Sequence, residues 1–484
     1  MLTRRNLMTA GAAGLAVLAG GCASTGDPAR GQALASDVRL LRRAYTLLHP
    51  GLYRYNSERE VDRLFTRLEY DWSKGPALPE AYLSLSRMLG AVQCGHSYAN
   101  FYNQSGAVKD AVFAGNGKLP FLFTWIDGQM VVADPQGTEG LKRGDTVVQI
   151  NGRSSGEVLQ ALLPYARADG NNMAKRVALL GASGTDKFET FDVFYGLLFG
   201  RSESFALKVA SPDGVTRDLR AASITLAERH ARLTGADRDG PAFTHRFEAD
   251  ATCVLTMPGW ALYNSSWDWK AYIGEVFEEM ADRKSPALVV DLRGNEGGLD
   301  CGDEILARLI SADLPRAAYE RRVRYQKTPA DLDPYLETWD NSFRDYSADT
   351  EPLGNGFFRL IERDGMSRAP ISPKGPRFTG KLAVLTDASN SSATFQFANL
   401  VKTNRLGTLV GETTGGSQRG INGGSFFFLR LPESGLEVDL PLIGTFPLEP
   451  MPDAGIEPDI QAAPAAASIA AGTDPVMTAA LSSV

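Results

Sequence analysis

Histidine and cysteine are scarce in this chain, four of each among 484 residues, and their placement excludes more than their number. His49, His96, His230 and His245 lie far apart with no HxxH or HxH pair, and Cys94, Cys253 and Cys301 follow no metal spacing, so no metal centre and no cofactor is implied. Three thiols with no framework read as buried residues with one pair possible, not as a disulfide scaffold. Long basic blocks are absent, and a net charge of -7 with a pI near 5.4 argues against nucleic acid as a partner. A glycine-rich turn at 294–298, GNEGG, lacks the GxGxxG and Walker spacings of nucleotide binding. Runs long enough to span a membrane are missing as well. The apolar stretch 7–21 is too short and follows Arg4 and Arg5, the layout of an export signal ending at Cys22. Arg4-Arg5 resembles a twin-arginine signal and the run 18–22, LAGGC, a lipoprotein processing site, so Cys22 is a lipidation candidate.

What is present is ample apolar content, 43% of residues, enough for two or three domains. Residues 23–35 are small and polar and read as a linker. Helical periodicities follow in 36–110: one stripe from Val38 to Leu48 with Asp37 as its cap, one over 61–68, and one over 81–92 ending near Gly95, with His96 just outside. Residues 111–235 turn to short strands, near 119–125, 130–133 and 145–150, with a hairpin over 204–219. Beyond 245 the pattern is strand 251–257, amphipathic helix 269–280 and apolar strand 287–292, a parallel crossover that runs straight into DLRGNEGG. Residues 313–375 are charged and Pro-rich, an excursion from the core and a possible lid. A hairpin over 425–440 follows, and 466–484 is an Ala-rich, loosely ordered tail apart from a short terminal helix.

The stretch 387–402, DASNSSATFQFANLVK, follows the apolar run 382–385 and precedes a helical stripe of Phe397, Ala398 and Val401. Serines therefore stand at a helix N-terminus, where free N–H groups and the dipole favour an oxyanion forming beside a nucleophile. On these residues alone a plain N-cap is the simpler reading.

Taken in order, a helical bundle ending in Gly-His, the segment GLKRGDTVVQING at 140–152, DLRGNEGG, SNSSATF, GETTGG at 411–416 and GIEPD at 455–459 resemble the tail-specific (carboxy-terminal processing) serine protease family. The resemblance spans roughly residues 36–465. It implies a multidomain α+β protein: a helical bundle (36–110), a PDZ-like β domain (111–235) that binds extended substrate tails, and an α/β catalytic core (245–465) of crotonase/ClpP-like ββα units. For the 140–152 segment alone, an ordinary hairpin with an Asn-Gly turn remains the alternative. The family's nucleophile falls on Ser392, with Ser389 and Ser391 as turn or cap residues, and its oxyanion donors on the main-chain N–H groups of Gly297 and Ala393. Many members use a lysine about 25 residues after the serine, and here that place is Ser417. Lys402 is too far round the following helix. The sequence is therefore closer to the tricorn-core-like, histidine-using branch, which places the base on His96 and the acid that orients it among Glu449, Asp453 and Glu457, with Asp453 favoured. The implied activity is that of an exported serine peptidase acting on proteins or peptides. Its membrane contact would be the lipid anchor alone. A catalytically silent peptide binder and a hydrolase of another ester or amide are the alternatives.

Overall fold

The computed structural model describes residues 28–233, 241–316, 319–361 and 369–484. The proposed signal, Cys22 and residues 23–27 of the linker lie outside them. The rest of the linker does not form a tether. Pro28–Leu48 is one continuous helix with Leu34 and Ala35 buried. Asp37, expected to cap it, sits inside that helix and accepts from the backbone N–H groups of Glu433 and Ser434 at 3.1 and 2.7 Å. Its carboxylate thus caps a distant hairpin turn instead of its own helix. Helices Glu58–Trp72 and Leu78–Val92 complete the bundle; the second stops at Gln93, in the left-handed conformation (φ 62°), two residues before the stop expected at Gly95.

The middle region forms an antiparallel sheet whose main path is Leu122–Ile126, Gln129–Asp134, Thr146–Ile150, Ser204–Ala210 and Thr216–Ala222. Helices Ser155–Leu162, Met173–Leu179 and Thr190–Phe199 pack with it. A helical pattern fills much of 155–180 in the sequence and anticipates the first two, whereas the last lies beyond it.

The third region holds a sheet ordered Ile460–Gln461, Thr408–Gly411, Lys381–Thr386, Ala287–Asp291, Cys253–Thr256 and Thr244–Phe247. All neighbours are parallel except the final pair. Alternating side chains explain why its central strands read as unbroken apolar runs. Leu288, Val290, Leu382 and Val384 enter the core shared with helix Trp269–Asp282, whereas Val289, Ala383 and Leu385 enter a second, smaller core. That second core is closed by the tail. The expected terminal helix, Pro475–Ser483, buries Val476, Met477 and Ala480 on it, so it is an integral layer instead of the end of a loose tail. Burial of this kind is worth about 1.5–3 kcal/mol for a Val or Met side chain.

The charged stretch 313–375 is no detached excursion either. Tyr319–Val323, Thr350–Gly354 and Phe357–Leu360 join Leu336–Glu337, Asn422–Arg430 and Glu437–Pro447 in a third, antiparallel sheet. Asn422–Arg430 and Glu437–Pro447, the longest strands among the described residues, carry this sheet against the helical bundle: Tyr45 donates to the carbonyl of Asp439 at 3.0 Å.

Candidate active site

Adjacent parallel strands end side by side, and that fixes the site. Asp291, the last residue of its strand, pairs with Leu385, so the turns 292–298 and 387–392 leave the sheet together. They are laced by side chains. Asn390 donates to the carbonyls of Leu292 (2.6 Å) and Asn295 (3.0 Å), Thr394 to that of Asn295 (3.0 Å), and Ser391 to that of Glu296 (3.2 Å). Asp387 in return accepts from the Gly294 N–H at 2.8 Å.

Ser392 opens helix Ser392–Thr403 with φ 54°, a left-handed conformation that costs a non-glycine residue about 1–3 kcal/mol. Ser391 occupies the N-cap position yet makes no side-chain cap, because its hydroxyl is spent on Glu296. The simple cap reading of these serines therefore fails. The Ala393 N–H has no acceptor among the described residues, as an oxyanion donor requires. Gly297 lies against it: a Cβ there would stand 2.8 Å from Ser391 O, 2.9 Å from Ala393 N and 3.0 Å from Ser392 Cβ. Its own N–H, however, is donated to Asn295 Oδ1 at 2.9 Å, which displaces it from the donor role the sequence suggested. The next N–H, of Gly298, has no acceptor among the described residues.

His96 follows the third bundle helix and is half-buried, with Nδ1 enclosed and lacking a hydrogen-bond partner among the described residues. No hydrogen bond joins it to Ser392 in the structure. The two are tied through the middle domain. Arg167 donates to Gly95 O at 2.9 Å and to Glu296 Oε2 at 2.8 Å, while Lys175 lies 3.3 Å from Glu296 Oε1 and donates to Ser389 O at 2.8 Å. Asn172 caps helix Met173–Leu179 with its oxygen and gives its Nδ2 to Thr414 O (2.9 Å) and Gly416 O (3.0 Å). Burial holds the Lys175 pKa below its ordinary value despite the neighbouring Glu296. Burial also opposes the Glu296 charge, but Lys175 and Arg167 outweigh it and bring that pKa down to about 2. At His96, burial and the Arg167 and Lys175 charges hold the pKa below 6.5 against the opposing pull of Asp169 and Glu296. The ring is thus neutral near pH 7, the form a general base needs.

Asp453 is not the partner of His96. It accepts from Asn171 N and Nδ2, both at 3.1 Å, and from Ser417 Oγ at 3.2 Å. Among the described residues no bond joins Asp453, Glu449 or Glu457 to the ring. Asp169, almost fully buried, accepts from the Gly95 N–H at 2.9 Å, and its charge, with that of Glu296, pulls the His96 pKa upward without a hydrogen bond to the ring. Sequence reasoning missed it, along with Arg167 and Lys175; a cluster of charged and amide residues, RADGNNMAKR at 167–176, was the available signal. Lys402 pairs with Asp459 at 2.9 Å on the surface, and Ser417 accepts from Tyr55 at 2.9 Å.

Residues 251–462 match the family model described as Peptidase family S41. The chain thus carries a domain of the kind that this serine peptidase family model describes. No curated protein matches it. Among solved structures, mature CPAF complexed with lactacystin is similar with a TM-score of 0.62 at 14% identity, over 92% of this chain and 96% of that one. Mature CPAF is similar with a TM-score of 0.61 at 15% identity, over 91% and 94%. At such identities the likeness is one of fold.

Proposed function

We propose that the chain is an exported, lipid-anchored serine peptidase of the histidine-using branch, cleaving protein or peptide substrates through an acyl-enzyme. The observation that carries this is Ser392, held at φ 54° at the head of a helix beside the acceptor-free Ala393 N–H. Ser392 Oγ attacks the substrate carbonyl carbon while its proton passes to His96 Nε2. The oxyanion is taken by the Ala393 N–H and by a glycine-turn N–H, Gly298 in place of Gly297. Collapse of the tetrahedral intermediate breaks the C–N bond, and His96 returns the proton to the leaving amine; water then attacks the acyl-enzyme with His96 again as base. Asp169, through Gly95, steadies the ring.

The middle domain, in this reading PDZ-like, receives an extended substrate tail at an end strand of its sheet, and the core has ββα units of the crotonase/ClpP type. Export and lipidation rest on the first 22 residues; a Cys22→Ser protein that still partitions with membranes would end that part of the reading. A fluorophosphonate probe tests the catalysis. Wild type should label and Ser392→Ala should not. A wild type that stays unlabelled but binds peptides would favour the silent-binder alternative, which the missing Ser392–His96 bond supports. Ester turnover without peptide cleavage would favour a different hydrolase.

A further inference from the structure

A series of aromatic rings runs from His96 to the protein surface. The His96 ring stands 5.9 Å from that of Phe426, and Phe426 stands 5.9 Å from Trp339. Trp339 also meets Phe428 at 5.8 Å and stacks edge-on against Phe343 at 5.4 Å. Phe343 is buried and fixes the indole from beneath, while Trp339 itself is 60% exposed. A large aromatic left in water, held by other rings and continuous with a proposed catalytic histidine, is a binding feature more than a packing one.

Among the described residues the backbone beside it is unpaired along part of one side. Asn422–Arg430 pairs with Glu437–Pro447 on one side, but on the other Leu336–Glu337 reaches only Leu429 and Phe428. Gly423 faces the His96 ring, where a Cβ would stand in ordinary contact, 3.7 Å from Nε2.

We propose that Trp339, Phe426 and Phe428 form a subsite for a large apolar, chiefly aromatic, side chain of the substrate. This rests on the reading of Ser392 and His96 as the catalytic pair. Two ring-to-ring steps, at most about 12 Å, equal three or four residues of extended chain at ~3.3 Å each, so the side chain recognised lies within four residues of the scissile bond. The platform carries no charge of its own, so it offers a glutamate at that position no partner.

The test separates binding from turnover. Full-length Ser392→Ala protein is titrated with an eight-residue Ala/Gly peptide carrying one Phe and with its all-Ala counterpart. The Phe peptide should bind about tenfold or more tighter, the range a pocket contact of this size supplies. Adding Trp339→Ala should erase that preference, and Trp339→Phe should restore part of it. Equal affinities for the two peptides, or a preference that survives Trp339→Ala, would overturn the subsite. Turnover by the wild type is scored apart: cleavage that persists in Ser392→Ala defeats the catalytic reading, whereas Ser392-dependent cleavage with an unchanged Phe-to-Ala ratio in Trp339→Ala defeats the subsite alone.

Discussion

His49 braces the segment that carries His96, and its buried ring makes the brace sensitive to acid. Its Nδ1 accepts from the Gly51 N–H at 3.1 Å, so Nε2 carries the proton and donates to Ser97 Oγ at 2.9 Å. Burial above all, with the Arg54 charge, lowers its pKa from 6.5 to about 3. The unfolded chain therefore binds a proton between those values that the folded chain refuses, and stability present above pH 6.5 is lost as pH falls. From pH 7 to pH 5 the loss from this one ring is about 2 kcal/mol. Asp439 and Glu189, both raised to about 7 mainly by burial, act in the opposite sense over the same range, so the bare pH slope is not diagnostic. The informative quantity is a difference. Urea unfolding of wild type and His49→Gln at both pH values should show wild type losing about 2 kcal/mol more than the variant between pH 7 and pH 5. Equal losses would refute the account of His49 as a neutral, tautomer-locked brace.

Ser392→Ala and His96→Ala should each abolish peptide cleavage, with the double variant scarcely worse because the two act as one unit. In kcat/KM profiles of the wild type the acid limb should fall below pH 6.5, the direction in which burial and the Arg167 and Lys175 charges move His96. Asp169→Asn should move that limb lower still, since the Asp169 charge raises the His96 pKa, whereas Asp453→Asn should leave it in place. Glu296→Gln removes the counter-charge of buried Lys175 beside the glycine turn; kcat should drop about tenfold to a hundredfold with KM little changed, while Lys402→Ala stays near wild type.

The strand-turn-helix units of the core were legible because each rests on local signals. Apolar runs gave Ala287–Asp291 and Lys381–Thr386, and the polar turns after them gave Ser392 and the glycine loop. What the sequence could not show is which distant groups meet. Three carboxylates near 449–457 lay at a suitable chain distance from Ser392, yet the carboxylates whose charge reaches His96 are Asp169 and Glu296, from other parts of the chain. Asp37 looked like a cap by its position and is a cap, though for a turn nearly four hundred residues away. In the tail the terminal helix was legible but not its place: Ala and Ser suggest looseness around it, but Val476, Met477 and Ala480 share one helix face and meet the uncovered side of a parallel sheet, which has to be covered. The aromatic path from His96 depends on a register between strands that no local pattern encodes.

Gly297 shows how position and chemistry part company at this site. Its place in the turn suggested a hydrogen-bond donor, but its N–H is already held by Asn295, whose side chain is itself anchored to Met257 O at 2.7 Å. What Gly297 contributes is empty space. A methyl group there would stand within 3 Å of Ala393 N and Ser391 O, in the volume beside the acceptor-free N–H. The same crowding explains why the strained Ser392 backbone persists: the two turns are held in register by Asn390, Thr394 and Ser391, and relaxing φ at Ser392 would break into that lacing. Glu296, between the anchored Asn295 and the side-chain-free Gly297, then joins this rigid pair of turns to the charged residues of the middle domain. Two ion pairs and the Lys175–Ser389 bond thus tie that region to the turn that carries Ser392.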